Sequence, residues 1–356
     1  MSTAKARDNF ADVLRGLAIV SIVQCHAAWV LPRSGFPIAD FTCFFHVNSF
    51  LFLAGYFFRP IREPKELYAV LGKRLSKLWF LFFSYTAAFT LLNPLLLRLH
   101  FIPAEQAMPL LRGLYHGLML ENQQPLLYTF WFIPMFLITT FVFSAGFCFC
   151  QRQKRPLPWH LLFAAFCALA GIYGHKQQIT SAYYAAEAVL VVPLLYLGFL
   201  ARRYWERISP FLNPAAALPA AFVLLVMLRL YPGQRIDLSS YQIWSPALFY
   251  PLSLLGLFMA CGFARGLCRV PILSSLLALA GRNSFSVMAL HLPVFKLVDV
   301  VYGSLSGIDP ALYELAPRAF GFWPVYLLVG TALSVALAEL GKWLLARYRK
   351  HPLAIQ

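Results

Sequence analysis

The sequence predicts an all-α, polytopic transmembrane helix bundle of about ten spans, and three observations carry that reading. Hydrophobic residues make up 60% of the 356 positions and charged residues only 12%, about half the charged share of a soluble domain. Apolar runs of roughly 17 to 25 residues recur from Val13 to Leu345, the length a helix needs to cross about 30 Å of hydrocarbon. Basic residues return at alternate loops, as they do in chains that thread a membrane repeatedly.

Taken in order, spans are expected near residues 13–31, 41–58, 78–97, 127–150, 160–174, 185–201, 214–231, 243–263, 283–302 and 320–345. Unpaired backbone groups cannot face lipid, so these runs must be helices, and they are too long and too uniformly apolar for barrel strands. The fifth run is short. Segment 270–282 is apolar enough for a re-entrant or amphipathic piece, so the count extends from nine to eleven. The first run continues through His26 to Trp29 without a cleavage site, and a signal peptide is not expected. Residues 98–126, with His100, Glu105, Arg112, His116 and Glu121, form the longest outward loop. That loop either covers an outward-facing site or is an ordinary connection. Nothing resembles a soluble module or a repeat, so residues 1–356 read as one integral membrane domain.

A net charge of +16 would suggest nucleic acid in a soluble protein, but here the location of the charges decides against it. Lys5 and Arg7 precede the first span, and Arg59, Arg62, Lys65, Lys73, Arg74 and Lys77 follow the second. The clusters Arg152, Lys154, Arg155, then Arg202, Arg203, Arg207, then Arg265, Arg269, Arg282, and finally Arg347, Arg349, Lys350 continue the alternation. The opposite loops hold Arg33, Arg98, Arg112, Lys176, Arg235 and Arg318. The positive-inside rule then places both termini in the cytoplasm, with membrane lipid as the ordinary partner of the charge. Seven cysteines lie scattered in or beside apolar runs without zinc-ligand or redox spacing, and they read as small buried side chains.

The first helix carries the most informative pattern. Arg15 and His26 are eleven residues apart, which returns the second side chain to within about 20° of the first, about 16 Å further along the axis. Ile19 and Ile22 fill the stripe between them, and Asp12 lies about a turn before Arg15 on the same side. Ionisable groups at membrane depth are costly unless they face protein or water, which makes them functional candidates. The bland alternatives are an interfacial ion pair for Asp12 and Arg15 and a bonded core histidine for His26. A second histidine, His46, opens the next span, so the two imidazoles could meet at one depth. Two histidines without a carboxylate at ligand spacing argue for acid/base or substrate contacts, and no metal is expected. Asp12, His26 and His46 are the catalytic candidates, with His26 as the base.

The order of these pieces resembles the acyltransferase-3 family of membrane O-acyltransferases. The landmarks are Arg15-Gly-Leu-Ala with His26, Phe45-His46 leading to Gly55-Tyr56-Phe-Phe, Lys73-Arg74-Leu-Ser-Lys77, Trp131-Phe132, Val192-Pro through Gly198, and Gly281-Arg-Asn283-Ser284 followed by His291-Leu-Pro. The resemblance spans nearly the whole chain and is nearest to the fucose 4-O-acetylase and exopolysaccharide O-acetylase branch. Asn48 stands where that branch usually has proline, and Ala54 where serine often precedes the glycine. The resemblance implies transfer of an acyl group, most often acetyl, from coenzyme A in the cytoplasm to a hydroxyl of an exported polysaccharide or its lipid-linked precursor. It implies acetyl-CoA as donor substrate with no permanently bound cofactor. It also implies residence in the bacterial inner membrane and association with polysaccharide synthesis or export machinery.

Arginine forks match phosphate, so Arg15, Arg59, Arg62, Arg74 and Lys77 at the inward mouth are candidates for the nucleotide. For any one of the loop residues among them, the positive-inside rule alone is an equal explanation. Asn48, Trp131, Glu187, Asn283 and His291 are candidate substrate contacts, Glu187 because it lies beside Tyr183 and Tyr184 and could meet sugar hydroxyls. Asn48 with Ser49, or Asn283 with Ser284, could donate to an oxyanion, although each also suits polar contacts between helices. Two other readings remain open from the sequence: a proton-coupled carrier, and a noncatalytic component of a polysaccharide export complex.

Overall fold

A computed structural model of the chain describes residues 8–28, 37–121, 124–181, 183–309 and 322–350. Among the described residues, nine helical stretches are long and apolar enough to cross a membrane. A tenth results if Trp205–Phe211 and Pro214–Leu230, bent by 69° at a short break, form one span. This is the expected all-α bundle. The only strands among the described residues are β1 (Ile236–Asp237) and β2 (Gln242–Ile243), an antiparallel pair in a connection.

The first half holds the elements that matter for function. These are α1 (Asn9–Ala28), α2 (Ile38–Cys43), α3 (His46–Tyr56), α4 (Pro64–Arg98), α5 (Leu110–Leu118) and α6 (Phe132–Gln151). The expected first span ran to residue 31, and its last residues lie outside the described set, as do Lys5, Arg7, Arg33 and Arg318. The second span is broken: α2 and α3 are separated at Phe44 and Phe45, where Phe45 has φ −136°. Asn48 Nδ2 donates to the carbonyl of Phe44 (3.0 Å) at the break, and Ser49 Oγ adds a second bond to the Phe45 carbonyl (2.8 Å), which already accepts from Ser49 N. α4 starts well before the expected residue 78 because proline at its first position is pre-set for a helix. Its basic stretch therefore continues the span rather than forming a loop.

The segment expected as the longest outward loop contains a helix, α5. α5 runs back along α4, with Gly113 against Thr90 and Gly117 against Thr86 and Phe83. Trp79 Nε1 donates to the Leu118 carbonyl (2.9 Å). From Arg98 back to Trp79 is about 28 Å of helix axis, so the segment re-enters nearly the depth of a bilayer. It returns through Gln124, whose Nε2 donates to Thr90 Oγ1 (2.5 Å), into a 3-10 helix at Pro125–Trp131.

The second half comprises α7 (Pro156–Lys176), α8 (Ala185–Leu190), α9 (Val192–Arg203), α10 (Trp205–Ile208), α11 (Pro214–Leu230), α12 (Pro246–Leu267), α13 (Pro271–Arg282), α14 (Ser284–Ser306) and α15 (Trp323–Lys350). α7 is longer than the short fifth run suggested. Segment 270–282 is α13, a twelve-residue helix too short to span, laid against α1. Asn213 and Ser245 cap α11 and α12 by accepting from Ala216 N (3.0 Å) and Leu248 N (3.3 Å). Glycines set the closest approaches: a Cβ on Gly55 would overlap the Leu195 carbonyl, and one on Gly281 would overlap that of Asp12. Small residues let helices meet backbone to backbone where lipid supplies no hydrophobic drive between them. These two contacts lock α3 to α9 and α1 to α13, and α3 and α1 line the cavity described next.

Candidate active site

Helical periodicity builds the site from two facing stripes. On α1, Arg15, Ile19, Ile22 and His26 share one face; on α3, His46, Val47, Phe50, Leu53, Ala54 and Phe57 do so. Both stripes line a single cavity of about 380 Å³. They run in opposite directions, so His26 and His46 meet at one end while Arg15 and Phe57 stand at the other. α4 begins a short link after α3 ends and adds Arg74 and Leu78. Thr129, Trp131, Phe132, Ile133 and Phe136 close the wall from the 3-10 helix and α6, and Ser284, Phe285 and Met288 from α14.

The polar groups in this mainly apolar cavity are individually held. Arg15 NH1 donates to Asp12 Oδ1 (3.0 Å), and Asp12 is buried. Asp12 lies fourteen residues before His26, about 21 Å along the axis, so it orients the arginine and cannot reach the imidazole. His46 Nδ1 donates to the Thr42 carbonyl (2.6 Å), which leaves the lone pair on Nε2. The ring of His291 lies 5.2 Å from that of His26. Thr129 Oγ1 donates to the Met288 carbonyl (2.8 Å), pinning the 3-10 helix to α14. The Trp131 ring lies 5.4 Å from that of Tyr184, which sits just before α8 with φ 56°. Burial, with Tyr128, Glu187 and Asp237 nearby, holds the Tyr184 hydroxyl above the usual phenol range, so it stays a neutral donor.

Of the residues the sequence singled out, the cavity gathers Arg15, Arg74, His26, His46 and Trp131. Arg59, Arg62 and Lys77 are exposed and do not line it. Asn48 turns to the backbone, as described above. Asn283 Nδ2 donates to Glu339 Oε1 (2.8 Å) and its Oδ1 accepts from Lys342 Nζ (2.5 Å), tying the α13–α14 junction to α15. Glu187 is buried behind the Trp131–Tyr184 pair, with Oε2 unpartnered. His291 is wholly buried and also stands outside the lining. Thr129 had no signal in the sequence, since a threonine in an apolar run is common. No cluster of three or more metal-ligating side chains occurs among the described residues.

The model of one family, described as an acyltransferase domain and numbered as acyltransferase family 3, matches residues 8–339. The chain belongs to the acyltransferase-3 family. That match runs through both stripes, the α13–α14 junction and most of α15, so it takes in every wall of the cavity. No curated protein and no solved structure matches the chain. With its bundle of apolar helices, this acyltransferase-3 member is a multi-pass membrane O-acyltransferase.

Proposed function

We propose that this acyltransferase moves an acetyl group from acetyl-CoA to a hydroxyl of a carbohydrate destined for the surface of a bacterial cell. The observation that carries the reading is one apolar cavity with guanidiniums at one end and imidazoles at the other. Coenzyme A pairs a phosphate-rich nucleotide with a long, thin arm ending in the thioester. Arg15 and Arg74 suit the phosphates, the aliphatic and aromatic wall suits the arm, and His26 and His46 then face the acyl carbon. The positive-inside charge pattern supports cytoplasmic termini and a donor that arrives from that side.

In the reaction, His26 takes the proton from the acceptor hydroxyl as its oxygen attacks the thioester carbon. A C–O bond forms, the C–S bond breaks as the intermediate collapses, and His26 returns the proton to the leaving thiolate. His46, its tautomer fixed by Thr42, orients the acceptor hydroxyl through Nε2. The oxyanion needs a donor at that end of the cavity. Trp131 lines the cavity and its indole N–H is a donor, so it takes the role in place of the asparagines considered from sequence. Tyr184, whose ring meets that of Trp131, suits a further hydroxyl of a sugar.

The test is mass analysis of cell-surface glycans with and without the protein. The expected difference is one acetyl unit per modified residue. Identical glycans in an otherwise competent cell would count against a carbohydrate acceptor.

A further inference from the structure

We infer that His291 is the positioning partner of His26, holding that imidazole when it becomes charged, rather than a contact for substrate. The inference rests on the reading of His26 as the base. His291 has no exposed surface, and its Nδ1 donates to the Val287 carbonyl one helical turn back (2.8 Å). That bond fixes the tautomer and puts the lone pair on Nε2. Nε2 is itself buried and accepts from no donor among the described residues. One face of the ring meets Phe295, at 5.6 Å between centroids, and His26 stands 5.2 Å away. A buried acceptor without a donor lowers stability, and such a group in a native structure calls for an explanation.

Protonation of His26 supplies one. A neutral imidazole carries a single N–H, whereas the imidazolium carries two. Once one nitrogen of His26 has taken the proton of the acceptor hydroxyl and holds it for the leaving thiolate, a small rotation of the ring presents the other N–H, made a stronger donor by the charge, to His291 Nε2. The hydrogen bond is then absent in the resting enzyme and present as charge develops. An interaction made only in that state lowers the barrier without tightening ground-state binding.

His291 and His46 both act electrostatically on His26. Other titratable or charged groups on the surrounding elements are Cys25 on α1, Cys43 on α2, Lys296 and Asp299 on α14, and Tyr326 on α15. The Tyr326 hydroxyl donates to Asp299 Oδ1 (2.5 Å). Arg15 and Arg74 stand at the far end of the cavity. The substitutions below alter none of these.

The experiment uses the full chain in lipid nanodiscs with His291→Phe, which keeps a ring and removes the acceptor, and His291→Gln, whose side-chain oxygen can accept. His291→Phe is expected to lower kcat by about ten- to a hundredfold, as loss of a hydrogen bond to a charged group does, with KM for acetyl-CoA unchanged. His291→Gln is expected to recover most of that loss. Nitrogen-15 solid-state NMR of histidine-labelled protein reads the pairing without turnover. The pH at which His26 becomes doubly protonated should move lower in His291→Phe and stay near wild type in His291→Gln. If His26 titrates alike in all three proteins, or if Phe and Gln lose kcat equally, the pairing is wrong. A wild-type protein that transfers no acyl group would sink the role of His26 as base, while the NMR comparison would still decide whether the two rings share a proton.

Discussion

If the proposed function holds, replacing Arg15 with glutamine should separate phosphate binding from chemistry, because the two ends of the cavity are far apart. The guanidinium is about a quarter exposed, bonded to Asp12, and lines the cavity. A hydrogen bond to a charged group contributes about 1.5–3 kcal/mol, which is about ten- to 150-fold in affinity at 1.4 kcal/mol per factor of ten. His26 lies about 16 Å further along the helix, so the reacting atoms should not feel the change. KM for acetyl-CoA is therefore expected to rise within that range while kcat stays within about threefold. Asp12→Asn, which leaves the guanidinium but weakens its hold, should raise KM by a smaller factor. Arg59→Gln, at an exposed residue outside the cavity, should leave KM unchanged. The assay is steady-state transfer from labelled acetyl-CoA in nanodiscs. Equal rises for Arg15 and Arg59, or a fall in kcat alone for Arg15→Gln, would refute the reasoning.

Trp131→Phe keeps the aromatic wall and removes the indole N–H. If that group serves the oxyanion, kcat should fall about a hundred- to a thousandfold with little change in KM, and an unchanged kcat would exclude it. Gly55→Ala forces a Cβ into the Leu195 carbonyl, whereas Gly72→Ala meets open space. The first should cost about 3 kcal/mol and lower the thermal unfolding midpoint in detergent, and the second should hold or raise it; similar shifts in both would contradict the packing of α3 on α9.

How much of this was legible in the sequence follows from which features are local. The Arg15–His26 stripe could be read because helical periodicity fixes it within one element. The matching stripe on α3 was harder to see, because the break at Phe44–Phe45 hides where that helix starts and therefore which residues share a face with His46. Arg59, Arg62 and Lys77 join Arg74 as candidate nucleotide contacts because topology and phosphate binding call for the same residue types at the same membrane face. Only the three-dimensional path of α4 separates Arg74 from them. Residues 98–126 read as a loop because of their polarity, yet Gly113 and Gly117, four apart, are what seat α5 on Thr90 and Thr86. The sequence offered no means of knowing which helix would take them. His291 could be singled out as unusual in an apolar run, but whether it met substrate or another histidine depended on how α14 packs beside α1.

The most direct test of the account is transfer in sealed, oriented proteoliposomes. Labelled acetyl-CoA is supplied only on the side of the exposed Arg59 and Lys77, and a glycan acceptor only on the other. Wild type is expected to label the acceptor, and His26→Ala is expected to lose that transfer by at least about a hundredfold while inserting and purifying normally. Acceptor labelled equally well by His26→Ala, or labelled only when both substrates share one side, would contradict a cavity that passes the acyl group from the arginine end to the histidine end.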